Sequence, residues 1–333
     1  MRSYPNHRFA VAPMIDWTDR HCRFFHRQLT RRALLYTEMI VADAIIHGGR
    51  DRLLGFDDAE HPVALQLGGS NPQKLAEAAR IGEEFGYDEI NLNVGCPSDR
   101  VQSGTFGACL MKTPQLVAEC IAAMKAAARI PVTVKCRIGV DEQDPQPALD
   151  ELANAVLQAG ADALWVHARK AWLQGLSPKE NREIPPLDYA RVYRLKARLE
   201  DVFVGINGGI VTLEEARGHF AAGVNGVMFG RAAYQNPGLL AQVDGALYGQ
   251  PQRDPNWNEI IDEMIRYAAE HTQRGGRLVH ITRHMVGLFH GLPGARRWRQ
   301  MLSADATRAD AKPELLREAL AQVRFDEVEV PAA

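Results

Sequence analysis

The sequence predicts a (β/α)₈ TIM barrel followed by a small C-terminal helical domain. Three observations carry the prediction. Eight short apolar runs occur in order, each ending in polar or glycine residues. Helical patterns lie between most of them, and the alternation spans about 240 residues, the usual size of a closed βα barrel. From about Asp244 the strand-like runs stop and only helical patterns follow.

The eight runs are Phe9–Met14, Leu34–Val41, Val63–Leu67, Glu89–Val94, Val132–Cys136, Ala163–His167, Val202–Ile206 and Gly226–Phe229. Most are rich in Val, Ile, Leu or Phe, as strands buried on both faces are. Among the helical stretches, Pro72–Phe85 carries alanines and leucines at three- and four-residue spacing. Thr113–Ala128 opens with Thr-Pro, a favourable N-cap and first-turn pair. Pro147–Ala159 and Leu187–Leu199 follow the same logic, and Thr212–Ala221 begins with a capping box, Thr-Leu-Glu-Glu. A doubly wound sheet shares the alternation but normally carries Gly-x-Gly-x-x-Gly after its first strand. Here that strand ends in Ala12-Pro13-Met14. Asn256–Gln273, Leu278–Leu288 and Pro313–Val323 read as helices, which divides the chain into a barrel over residues 1–243 and a helical domain over residues 244–333.

Hydrophobic residues at 46% and charged residues at 24% place this chain of 333 residues among ordinary globular proteins with room for one extensive core. No apolar run reaches the roughly 18 residues that span a bilayer. The N-terminal charges are not followed by an apolar stretch, so the cytoplasm is the expected compartment and a monomer the default state. The five cysteines are odd in number and form no Cys-x-x-Cys pair. A disulfide framework or a metal site is not expected, and most of the cysteines should be small buried hydrophobes. The net charge of −2 gives no global support to a nucleic-acid partner, so any RNA would be held by local patches.

In such barrels the chemistry sits at the C-terminal ends of the strands. Strand one delivers Pro13, Met14, Ile15 and Asp16, strand two Glu38 and Asp43, and strand three Gln66, Gly68 and Gly69. Strand four delivers Asn91, Asn93, Gly95 and Cys96, and strand five Lys135, Cys136 and Arg137. Strand six ends in His167 and Arg169, strand seven in Asn207, Gly208 and Gly209, and strand eight in Gly230 and Arg231. Most of these ends can hydrogen-bond a planar heterocycle or a phosphate. Glycines after strands seven and eight, each leading into a helix, fit the phosphate site common in these barrels. Gly208 and Gly209 let backbone N–H groups approach an oxyanion, the helix at Thr212 adds its positive end, and Arg231 offers a bidentate contact. Tight turns alone would also use these glycines.

Lys135 closes an otherwise apolar strand and needs an anionic partner. A reduced flavin and an ion pair with Glu38 or a neighbouring carboxylate are both open. His167 admits a structural and a functional reading. Cys96 stands between Gly95 and Pro97, where proline fixes the strand exit. An ordinary thiol is mostly protonated at neutral pH, so Cys96 is a candidate acid; a buried inert thiol is the alternative. Gly104 and Gly107 suggest a mobile lid just beyond it.

Together these residues resemble the tRNA-dihydrouridine synthase family. The stretch from Asn91-Leu-Asn-Val-Gly-Cys-Pro to Met111 is similar to the signature around that family's catalytic cysteine. Ala12-Pro-Met-Ile-Asp16, Gln66-Leu-Gly-Gly69, Val166-His-Ala-Arg169, Asn207-Gly-Gly209 and Phe229-Gly-Arg231 resemble its flavin-contacting segments. The segment from His167 to Arg182 looks like the A branch of the bacterial enzymes, which reduces uridines 20 and 20a of the tRNA D-loop. The resemblance implies bound FMN, with NADPH as reductant. It implies that Pro13, Met14, Ile15, Gln66, Lys135, His167, Asn207, Gly208, Gly209, Gly230 and Arg231 hold the flavin. Asn93 and Arg182 would contact the target uracil and Cys96 would be its proton donor. The uridine would have to leave its stack to reach the barrel, and the lack of a dinucleotide fingerprint suits a reductant that visits rather than stays.

Local charge would have to hold the tRNA. Arg169, Lys170, Lys179 and Arg182 follow strand six; Arg191, Arg194, Lys196 and Arg198 punctuate the next helix; Arg296, Arg297 and Arg299 flank Trp298. Lys179, Arg182, Arg296 and Arg299 are the expected tRNA contacts, along a cleft between the domains. Each cluster also reads as a solvated helix face, and Trp298 reads as core. A flavoenzyme for free pyrimidines or dihydroorotate would share the barrel but leave the helical domain and Lys179/Arg182 unexplained. A non-enzymatic RNA-binding barrel would not need Cys96 and Lys135.

Overall fold

The computed structural model describes residues 4–98, 106–251 and 254–325. All eight expected strands form: β1 (Phe9–Val11), β2 (Leu34–Val41), β3 (Val63–Gly68), β4 (Glu89–Val94), β5 (Val132–Arg137), β6 (Ala163–His167), β7 (Phe203–Asn207) and β8 (Gly226–Phe229). They pair in chain order, each parallel to the next, and β8 returns to β1 to close the barrel. β1 stops at Val11, short of the expected Met14, and Ala12–Met14 become the loop that leaves the barrel.

The helices around the barrel follow from local signals. Asn71 caps Pro72–Glu84 through the Lys74 N–H, Asp144 caps Pro145–Gln158, and Thr212 with Glu215 forms the expected capping box on Leu213–Ala221. Thr113 occupies the N-cap position of Pro114–Ala127 without a capping bond; its hydroxyl donates back to the Leu110 carbonyl at 3.4 Å.

Residues paired across a parallel ladder point to the same face, so the register fixes what fills the barrel. Ala10, Ala12, Leu34, Tyr36, Ala64, Ala163, Trp165, Phe203 and Met228 form one buried cluster. The Trp165 indole fits because Gly205 faces it: a Cβ there would lie 2.1 Å from the ring.

Contacts divide the chain into two compact units, Met1–Thr18 with Arg32–Gly230 and Asp19–Arg31 with Arg231–Ala333. The division falls at Gly230/Arg231 rather than at residue 243. The helix Arg20–Leu29, for which the sequence reading made no provision, belongs to the second unit. Within that unit Phe24 stacks on Tyr267 with ring centroids 3.9 Å apart. Thr30 donates to Asp244 at 2.5 Å, and Asp19 accepts from Arg283 and His284.

The expected helix over Leu278–Leu288 shortens to Val279–Thr282. Three-residue turns replace it, with Met285 N–H bonded to Thr282 and Leu288 N–H to Met285. Gly287 there passes so near the Gln235 carbonyl that a Cβ would lie 2.1 Å from its oxygen. Trp298 is fully buried and donates to the Met285 carbonyl at 3.0 Å, a core role as expected. Among the described residues no helix is long and apolar enough to cross a membrane.

Candidate active site at the barrel rim

β4 reads Glu-Ile-Asn-Leu-Asn-Val, and its alternation sends Glu89, Asn91 and Asn93 into the barrel while Ile90, Leu92 and Val94 pack outward. All three polar residues are buried. They survive there because each is bonded. The Asn93 amide donates to Gln66 Oε1 at 2.8 Å. The Gln66 amide donates to Asn91 Oδ1 at 2.8 Å, and Asn91 donates to Thr133 Oγ1 at 2.8 Å. Thr133 donates to Glu89 at 2.5 Å, which also accepts from Tyr36 and, at 2.6 Å, from Tyr4. Every side chain in this column donates toward Glu89.

Backbone donors force that direction from the other end. Asn93 Oδ1 accepts the N–H groups of Gly95 at 3.0 Å and Cys96 at 2.9 Å. Backbone N–H groups only donate, so the oxygen of Asn93 must face the cysteine loop and its nitrogen must face Gln66. Cys96 in turn accepts the Ala108 N–H at 2.9 Å through its carbonyl. Its side chain stays half-buried, while Cys22, Cys120 and Cys136 are buried. Gly104 of the expected lid lies outside the described residues, and Gly107 opens a short 3₁₀ helix with φ +76°.

Lys135 sits beside Asn93 across the β4–β5 ladder, and Arg137 sits beside His167 across the β5–β6 ladder. Burial pushes the Lys135 ammonium down to about 8, with repulsion from Arg137 acting the same way and the Cys96 sulfur opposing it. Burial likewise drives His167 well below the ordinary histidine value, reinforced by Arg137, Lys135, Arg169 and Arg182. His167 is therefore an uncharged imidazole in a ring of cations. Among the described residues no carboxylate pairs with Lys135, so the ion pair with Glu38 is not formed; Glu38 instead accepts the Asp16 N–H at 2.5 Å.

The glycine segment after β7 lies next to this group. Asn207 pairs with His167 across the ladder and donates to the Met228 carbonyl at 2.7 Å. Gly208 has φ +111°, and a Cβ there would come within 2.4 Å of the His167 ring. Gly209 has φ +73°. Only glycine fits this double turn; the Gly208 carbonyl accepts the Tyr189 hydroxyl at 2.7 Å, and Gly209 is exposed. Met14 approaches Gly230, and Arg231 begins the helix Arg231–Gln235. Ile15 stays 49% exposed, so it offers the rim an apolar surface. Lys135, which no described carboxylate pairs, beside a glycine turn and an uncharged imidazole, gives a donor set suited to a planar anionic ligand bearing a phosphate.

The loop after β6 carries Lys179 and Arg182, both exposed. It is built around Asn181, a buried residue absent from the sequence reading. The Asn181 side chain accepts the Trp172 N–H at 2.7 Å and donates to the carbonyls of Trp172 at 2.9 Å and Leu176 at 3.1 Å. Arg137, placed at the end of strand five by the sequence, was given no role there. It is 3% exposed and donates to the carbonyls of Gly95, Lys170 and Asn181. Burial lowers it to about 10. A strand reading Val-Lys-Cys-Arg, with charges two residues apart on one face, was the signal available.

The helix after this loop, Tyr189–Arg198, corrects the charge reading. Arg191 is fully buried, bonded to the carbonyls of Pro145 and Gln146 and paired with Asp150 at 2.8 Å. Arg198 shares Asp150, Lys196 binds three carbonyls, and Arg194 reaches Gln146. These cations join elements rather than wait for phosphates. In the second unit, Arg296 is exposed and Arg299 part-exposed on Ala295–Ser303, and neither forms an ion pair among the described residues. Among the described residues no group of three or more His, Cys, Asp or Glu could hold a metal ion.

A closed parallel barrel with a thiol, cations and a glycine turn at its strand ends is the layout of a barrel enzyme. Comparison with protein families matches residues 10–324 to Dihydrouridine synthase (Dus). The chain belongs to the dihydrouridine synthase family. It is 55% identical over 317 residues to a protein of Vibrio parahaemolyticus, covering 95% of this chain and 97% of the relative. It is 56% identical over 318 residues to a protein of Shewanella oneidensis, with 96% and 94% covered. It is also 56% identical over 318 residues to a protein of Escherichia coli, with 95% and 96% covered. All three relatives are named tRNA-dihydrouridine(20/20a) synthase.

Proposed function

We propose that this chain is a cytoplasmic tRNA-dihydrouridine synthase that saturates the C5–C6 bond of D-loop uridines 20 and 20a. The observation that carries the reading is the rim itself: a half-buried thiol at Cys96 shares it with Lys135, a cation that no described carboxylate neutralises.

FMN, when bound and reduced by NADPH, would supply the hydride that reaches uracil C6. Lys135 would face the electron-rich edge of its ring. Gln66 has a second amide hydrogen beyond the one given to Asn91, and His167 has one N–H to offer. Gly208, Gly209, Gly230 and Arg231 would hold the phosphate, with Asn207 bracing the turn, while Pro13, Met14 and Ile15 would border the ring. Cys96 would deliver a proton to C5 of the extruded uracil. The second amide hydrogen of Asn93 and the guanidinium of Arg182 would hold the carbonyl oxygens, where charge develops. Lys179, Arg296 and Arg299 would neutralise tRNA phosphates.

The test is to incubate the purified protein with NADPH and tRNA lacking dihydrouridine, then map the modified positions by mass. Gain of two hydrogens at 20 and 20a is expected. A protein that consumes NADPH with free uracil or orotate and leaves the tRNA unaltered would overturn the proposal in favour of a small-molecule flavoenzyme.

A further inference from the structure

We propose that Arg137 is a positioning residue that sets the spacing between the proton donor Cys96 and the substrate-facing Arg182; the inference rests on the roles given to those two residues above. Its guanidinium donates through Nε to the Gly95 carbonyl at 3.1 Å, and through one terminal nitrogen to the Lys170 carbonyl at 3.0 Å and the Asn181 carbonyl at 2.8 Å. Gly95 immediately precedes Cys96, and Asn181 immediately precedes Arg182. One planar group thus holds the main chain one residue before each of the two side chains that would meet the uracil from different loops.

Both ends of this bridge are stiff. On one side Asn93 fixes the N–H groups of Gly95 and Cys96. On the other, Asn181 fastens its own loop to Trp172 and Leu176. Asp141 supports the same loop by accepting the Leu173 N–H at 2.8 Å. Displacing either carbonyl therefore moves a whole loop. Arginine suits the task because its fork presents several donors in fixed directions, whereas lysine is a point charge on a flexible stem. A buried guanidinium is costly without compensation, and three carbonyls aligned on one side chain supply it.

The test compares Arg137→Met and Arg137→Lys in the full flavin-loaded chain, each alone and combined with Arg182→Ala. Dihydrouridine turnover should fall about 100-fold in Arg137→Met, the scale expected when reacting groups are misplaced by about 1 Å. KM for tRNA and the rate of NADPH oxidation should change less than about threefold, because Arg137 would act on geometry in the tRNA step. In the Arg182→Ala background the further loss should shrink below about tenfold, since the spacing has then lost one of its two members. Fully additive losses, or unaltered turnover, would overturn the proposal. Should Arg137→Met fail to accumulate, Arg137→Lys keeps the charge, loses the fork and is read by the same criteria.

A substrate-free measurement separates this idea from the functional reading. Amide hydrogen exchange in Arg137→Lys should quicken together at the segments containing Gly95–Cys96 and Asn181–Arg182, which are far apart in sequence. Exchange that quickens at only one of them, or at neither, overturns the bridge. A wild-type protein that leaves tRNA unmodified would sink the functional reading alone, because the exchange coupling would remain.

Discussion

The side-chain oxygen of Asn93 accepts the backbone N–H of Cys96 at 2.9 Å, so the residue proposed to hold the uracil also holds the loop of the proposed proton donor. The same oxygen takes the Gly95 N–H, and one of the two amide hydrogens is given to Gln66. Asn93→Ala should therefore lose both functions at once. Dihydrouridine formation should drop by about 10²-fold, the cost of a lost oriented donor, while flavin content stays near wild type. Asn93→Asp restores the acceptor for the loop without the donor, and should recover part of the rate. Mass quantification of dihydrouridine against bound flavin checks this; equal rates in Asn93→Ala and wild type would refute it.

Cys96→Ala should keep FMN bound and still oxidise NADPH, because no flavin-holding role falls to the thiol. Its yield of dihydrouridine should fall by about 10²–10⁴-fold, the usual contribution of a positioned general acid. Absorbance of the purified variant and stopped-flow flavin reduction give the first two readouts. Loss of flavin would mean that Cys96 has been assigned the wrong role.

Lys135 offers a pH-dependent affinity. In the flavin-free protein its ammonium is held down to about 8 by burial, so it is charged below that pH and neutral above it. An anionic ring needs the charged form. Affinity for reduced FMN, whose ring is the anionic one, should be greatest below about pH 8 and weaken by up to about tenfold per pH unit above it. Lys135→Met should bind more weakly and lose that slope. Anaerobic titration with reduced FMN across this range decides the matter; a slope that persists in the variant assigns the titration elsewhere.

Glu89 makes a prediction about stability. Burial pushes its carboxyl from 4.5 up to about 7, while hydroxyl donors from Thr133, Tyr36 and Tyr4 oppose the rise. The folded protein therefore holds a proton between these values that the unfolded chain has released. Stability should fall as pH rises through this window, by about 3 kcal/mol if the full shift is expressed. Urea unfolding near either end measures the loss, and Glu89→Gln should flatten it. A wild-type protein that grows more stable across the window would contradict the assignment.

The sequence by itself determined the barrel and the identity of most rim residues. Strand signals are local: β-branched runs such as Val132–Arg137 and the breaks at Pro97 or Gly208–Gly209 need no partner to be read. Cys96, Lys135 and His167 stood out because each ends an apolar run, and position at a strand end already places a residue on one rim of a closed barrel. Which polar groups would be paired was decided only in three dimensions. The column from Glu89 to Asn93 depends on the register that sets Gln66 and Thr133 on either side of Asn91. Arg137 and Asn181 draw their roles from carbonyls on separate loops, and no periodicity encodes a contact between segments brought together by closure. The same limit explains Arg191, which reads as surface charge in a basic helix and is buried against Asp150 in the fold. Local pattern reports what a segment prefers, whereas the partner of a charge is fixed only when distant segments meet.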